Sequence, residues 1–127
     1  MKIAVLIARI LVGLLFLVFG LNGFLNFIPV RQLPSGLAGQ FVTALLQSHY
    51  VQFVCAFEVA GGALLLINRY VPLGLTLLGP IIVNILLYHL LLYHMGLGLA
   101  IVVAILWGLI AFYHRRAFAG LFVQKSP

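Results

Sequence analysis

Four stretches of the chain are apolar for long enough to cross a lipid bilayer as helices, and the polar residues gather at their ends, in one connector and at a few isolated positions inside them. The stretches run at about 3–25, 50–67, 71–93 and 97–113, near the roughly 20 residues that a helix needs to traverse a hydrocarbon core of about 30 Å. In the first, Arg9, Gly13, Phe16, Gly20 and Gly23 recur at alternating steps of four and three. That spacing puts them on one stripe, and small residues on one stripe mark a face that meets another helix. Asn22 falls off the stripe, where it can cap the helix end. In the second stretch Cys55, Glu58, Gly61, Gly62 and Leu65 share a face by the same rule. The third carries Pro72 in its first turn and Pro80 in its middle, where the missing N–H should kink the helix. Pro80, Asn84 and Tyr88 follow one another at four-residue steps, so an amide and a phenol can face the same internal cavity. His89 lies on another face unless the kink rotates it. In the fourth, Ala100, Ala104, Gly108 and Ala111 form a small-residue contact stripe, and Trp107, Tyr113 and His114 suit the interfacial end of a span.

Between the first two spans the pattern breaks. Pro29, Arg31, Gln32, Pro34, Ser35 and Gly36 make a polar connector that no continuous helix can cross. Ser35 is then a fitting N-cap for a short amphipathic helix with Phe41, Leu45 and Leu46 opposite Gln40, Thr43 and Gln47. Too short to span, this helix is expected to lie on the membrane surface or to fold over the mouth of the bundle, either as a passive cover or as a substrate gate. The expected fold is all-α: one domain over 1–127, an integral membrane four-helix bundle with a short amphipathic helix between the first two spans. The opening residues imitate a secretory signal, but Arg9 interrupts the apolar run and no Ala-x-Ala site follows, so the segment reads as a retained span.

Composition sharpens this picture. A chain that is 65% hydrophobic and 6% charged has too little polar surface to cover a soluble globule. Its net charge of +6 comes from seven basic residues scattered at segment ends. Such scatter fits membrane lipids with anionic headgroups and excludes nucleic acid as a partner. Lys2, Arg69, Arg115, Arg116 and Lys125 fall on one side of a four-span topology and Arg31 on the other, which places both termini in the cytoplasm.

The one acidic residue of the chain, Glu58, stands in the middle of the second span. An ionisable group at membrane depth costs about 2.5–3.5 kcal/mol on insertion scales and therefore faces a bundle interior and finds a partner. Arg9, on the packing face of the first span, is the candidate counter-charge; the alternative is that it snorkels to the headgroups. The single cysteine, Cys55, offers no Cys-x-x-Cys relay and reads as a packing residue. No metal site and no complete catalytic constellation emerges, and a haem is not expected because His49, His89 and His94 all crowd near one end.

Three blocks, Ala8-Arg-Ile-Leu-Val-Gly-Leu-Leu-Phe16, Glu58-Val-Ala-Gly-Gly62 through Arg69-Tyr-Val-Pro-Leu73, and Pro80-Ile-Ile-Val-Asn-Ile-Leu-Leu-Tyr-His89, together resemble the DoxX-like family of small four-helix bacterial membrane proteins. The resemblance covers nearly the whole chain. It implies a bundle in the bacterial cytoplasmic membrane, with Arg9, Glu58, Asn84 and His89 at the family's recurrent polar positions. The family is named for a quinone-linked oxidase subunit, and some relatives are associated with thiosulfate oxidation or redox-stress complexes. This implies a redox-associated subunit, with oxidoreductase partner subunits or further copies of itself, that holds a quinone or similar isoprenoid beside Glu58, Asn84 and Tyr88. A small bundle that binds or transports an amphipathic molecule, and a purely structural subunit, stay open as alternatives.

Overall fold

The computed structural model describes residues 1–28 and 32–124; Arg31 and Lys125, counted above for orientation, lie outside the described residues. Within them the chain is helical and contains no strand. Helix α1 (Lys2–Leu25) is followed by the short α2 (Gly36–Gln47), then α3 (Tyr50–Ile67), α4 (Val71–Leu87), and α5 (Leu97–Tyr113). Helix α4 runs directly into a π-helical turn, Tyr88–Leu92, and α5 breaks through 83° into a 3-10 segment, Arg115–Phe122. Three helices, Lys2–Leu25, Tyr50–Ile67 and Val71–Leu92, are long and apolar enough to cross a membrane. At 17 residues α5 extends about 26 Å before its break.

Local sequence explains the ends. Helix α1 stops at Asn26, whose left-handed backbone (φ 53°) closes the last turn, while Asn22 Oδ1 accepts the Ile28 N–H at 2.7 Å. Asn68 ends α3 in the same left-handed conformation (φ 56°). Ser35 stands at the N-cap of α2 with extended backbone but makes no side-chain cap bond. Pro72 sits in the first turn of α4, where its missing N–H costs nothing.

Helix α1 packs on α3 and α5, and α4 packs on the same two helices, so the four long helices close a ring. Helix α3 is its centre because adjacent glycines face opposite neighbours. A Cβ on Gly62 would stand 2.8 Å from the Gly13 carbonyl oxygen and 2.8 Å from the Leu17 nitrogen of α1. One on Gly61 would stand 2.6 Å from Leu78 Cγ and 3.1 Å from the Gly74 carbonyl oxygen of α4. Gly13, Gly20 and Gly23 of α1 meet α3 in turn, with Gly20 closest to Val59, the Cys55 carbonyl and Glu58 Cβ. The predicted stripe of α1 is therefore its α3 face, and Cys55 packs against Gly23.

Helix α5 departs from expectation at two positions. Gly108 faces open space, whereas Ala100 is buried and Ala104 and Ala111 pack on the core. Trp107, placed above near an interface, lies instead between helices, its Nε1–H donating to the Leu75 carbonyl of α4 at 3.0 Å and its ring filling the space over Gly79. Helix α4 also runs through Pro80 unbroken.

The interior is uniformly apolar. Val12, Leu65, Leu75, Leu78 and Ile110 are fully enclosed, and no polar or charged side chain among the described residues is fully buried. The outer surface is apolar as well: Leu6, Ile7, Leu14, Phe53, Val83, Leu91, Ile105 and many others are exposed. Soluble monomers rarely expose a contiguous apolar patch beyond a few hundred Å².

Candidate functional site

Helices α2, α3 and α4 enclose a cavity of about 540 Å³ whose walls are Phe41, Val42, Ala44 and Leu45 from α2, Val54 from α3, and Ile81 and Ile85 from α4. Four of the five sequence candidates reach it: Glu58, Asn84, Tyr88 and His89. Glu58 comes from the side of α3 beside its glycine contacts, half-buried, with its Cβ close to Gly20 of α1. Asn84 donates from Nδ2 to the Pro80 carbonyl at 2.8 Å, which ties down its amide and leaves Oδ1 as an acceptor.

His89 continues the face formed by Ile81, Asn84, Ile85 and Tyr88 at steps of three and four, and a π-helical turn begins beside it. The Tyr93 N–H bonds the carbonyl of Tyr88, five residues back, at 3.0 Å. This wider turn shifts the side chains that follow it relative to a regular helix. The imidazole Nδ1 lies 3.0 Å from the Tyr93 carbonyl oxygen. A carbonyl only accepts, so Nδ1 carries the proton, and in the neutral ring Nε2 is an acceptor.

Helix α2 is the roof. Phe41 meets the Tyr88 ring with centroids 5.7 Å apart and planes at 32°, and Tyr88 in turn touches His89 edge-on at 5.1 Å and Tyr93 at 6.2 Å. The amphipathic pattern over 37–49 pointed to a cover, and Phe41 and Leu45 do face inward, whereas Leu46 is exposed. That Phe41 would stack on Tyr88 had no signal in the sequence, because it depends on how α2 folds back on the end of α4.

Arg9 is not part of this constellation. Its guanidinium Nη1 donates to the carbonyls of Leu65 and, at 3.3 Å, Leu66. These carbonyls belong to the last turn of α3, where Leu65 O also takes the Asn68 N–H at 3.4 Å and the helix dipole favours a cation. They lie seven and eight residues beyond Glu58, about 10–12 Å along the axis. The coupled Arg9–Glu58 pair expected from the sequence is thus replaced by two separate features: a helix-end clamp, and a carboxyl group that faces a cavity.

Among the described residues no group of three or more His, Cys, Asp or Glu side chains gathers as a metal site. What the arrangement offers is an apolar chamber with one acid, one amide, one imidazole, the phenols of Tyr50 and Tyr88 and the Ser48 hydroxyl on its walls, able to orient a small polar ring and exchange a proton with it. Comparison with protein-family models, with curated proteins and with solved structures gives no match.

Proposed function

We propose that this chain is a DoxX-like protein of the bacterial cytoplasmic membrane, with α1, α3, α4 and α5 spanning the bilayer and both termini in the cytoplasm, and that it holds the head of a quinone or similar isoprenoid under α2. The observation that carries the reading is the convergence of Glu58, Asn84, Tyr88 and His89 on one apolar-walled cavity of about 540 Å³. That size falls in the range of about 300–1,000 Å³ usual for small-molecule sites. The apolar outer surface supports membrane insertion. A quinone head fits the chamber: the Tyr88 hydroxyl donates to a ring oxygen, the Phe41 ring covers the head, Glu58 exchanges a proton, and the aliphatic walls take the first isoprene unit. The chain supplies binding and a proton, and electrons come from an oxidoreductase partner subunit.

The test is to purify the protein in detergent and analyse its lipid extract for quinone, alongside titration with a short-chain quinone followed by quenching of Trp107 fluorescence. Retention of quinone by the wild type, and its loss in a Tyr88→Phe, Glu58→Gln double variant of unchanged stability, is expected. A quinone-free extract combined with no response to added quinone refutes the reading. Single-cysteine labelling in a Cys55→Ser background checks orientation, since a cysteine at Ser35 should react only from outside the cell.

A further inference from the structure

At the opposite end of α3 from the α2 roof a second cavity, about 590 Å³, lies where α5 turns through 83° into the 3-10 segment. Phe112, His114, Arg115, Arg116 and Ala117 line it. Arg115 is held in place from two sides: Nη1 donates to the Phe112 carbonyl at 3.0 Å, and the guanidinium carbon lies 4.6 Å over the Phe112 ring. His114 shares this positive field. Burial, and then the charge of Arg9, hold its imidazole below the usual histidine value.

Among the described residues no carboxylate lies against these cations. The chain carries seven lysines and arginines against one acidic residue, and that residue, Glu58, faces the cavity under α2. An anion from outside the chain would satisfy them. Immediately past the arginines the 3-10 segment exposes Leu121 (74%), Phe122 (81%) and Val123 (66%), side chains that suit the acyl boundary of a membrane and not bulk water.

We infer that this cavity is a binding site for an anionic phospholipid, with the lipid phosphate between Arg115 and Arg116 and the apolar end of the 3-10 segment lying in the interface beside it. Arginine suits the role because its planar fork bonds phosphate oxygens in pairs. The inference is independent of what fills the chamber under α2.

The experiment is lipid titration of the purified full-length protein in a neutral detergent, read by native mass spectrometry and thermal unfolding. The probes are phosphatidylglycerol, phosphatidylcholine and inorganic phosphate. Phosphatidylglycerol should bind and raise the unfolding temperature, and the other two should not. Each arginine near an anionic surface strengthens binding about fivefold, so Arg116→Gln should weaken phosphatidylglycerol binding about fivefold and Arg115→Gln with Arg116→Gln about thirtyfold. Among the described residues Arg116 makes no hydrogen bond, so its single variant decides the matter if the double variant does not fold. Equal response to phosphatidylcholine, or wild-type affinity in Arg116→Gln, overturns the proposal. A response to inorganic phosphate as strong as that to the lipid overturns the assignment to lipid and leaves a site for free phosphate.

Discussion

Exchanging Arg9 for Gln, Glu58 for Gln, and both together measures whether the two charges within the apolar helices act as one unit or two. Arg9 gives two hydrogen bonds from a charged donor to the end of α3, one of them long at 3.3 Å. A bond of this kind contributes about 1.5–3 kcal/mol, and a cation at a helix C-terminus adds about 0.3–1 kcal/mol. A shorter glutamine recovers little of either, so Arg9→Gln should cost about 2–3 kcal/mol. Glu58→Gln keeps shape and polarity at a half-buried cavity wall and should stay within about 1 kcal/mol. The acceptors of Arg9 lie about 10 Å along α3 from Glu58, and substitutions so far apart add to within about 0.5 kcal/mol. The double variant should therefore lose the sum of the single losses. Equilibrium unfolding in a mild detergent, followed by helical circular dichroism, supplies the four stabilities. A coupling energy above about 1.5 kcal/mol would restore the buried ion pair and refute the clamp. An Arg9→Gln variant as stable as the wild type would mean that the guanidinium merely reaches for the headgroups.

Gly62→Ala sets a methyl 2.8 Å from two backbone atoms of α1 and should cost at least about 1–3 kcal/mol, while Gly108→Ala, facing open space, should gain up to about 1 kcal/mol from helix propensity; the same unfolding assay reads both. Trp107→Phe removes the indole donor to the Leu75 carbonyl at 3.0 Å and should cost about 1 kcal/mol, measured as a lower unfolding temperature. Phe41→Ala takes the lid's ring from Tyr88 and should speed quinone dissociation more than it slows association, as stopped-flow fluorescence would show. His114 ionises less readily folded than unfolded, so its contribution is intact above the unfolded value near 6.5 and is lost as pH falls through the lower folded value. The wild type should thus lose stability on acidification below about pH 6.5, and His114→Gln should flatten that slope in unfolding scans.

The helices were legible because long apolar helices announce themselves twice, by apolar length and by the residues that interrupt it. Pro29, Pro34, Asn68 and Gly96 mark breaks in or between runs whose limits differ little from the helices found. The glycine faces of α1 and α3 were legible for a related reason: a stripe that admits no side chain can only be a contact. The partner of Arg9 was not, since donation to the far end of a neighbouring helix depends on the register between two helices, which no periodicity within either one encodes. Opposite charge drew attention to Glu58, whereas backbone carbonyls, present at every residue, draw attention to nothing. His89 was misplaced for a simpler cause. Counting only in four-residue steps from Pro80 left it off the stripe, whereas the cavity wall is a broader helical face in which Ile81, Asn84, Ile85, Tyr88 and His89 follow at steps of three and four.

The two glycines of α3 also decide how the chamber under α2 can change. With backbone against backbone on both flanks, α3 has no slack to translate or roll, and it carries Glu58 one turn from those contacts as a fixed landmark. Helix α2 meets α3 and the end of α4, where Phe41 lies on Tyr88, with no comparable glycine contact to either. Variation in ligand size can therefore be absorbed by repacking twelve residues of roof while the acid stays where it is, so that substitutions in α2 retune what is admitted and substitutions at Gly61 or Gly62 forfeit the chamber itself.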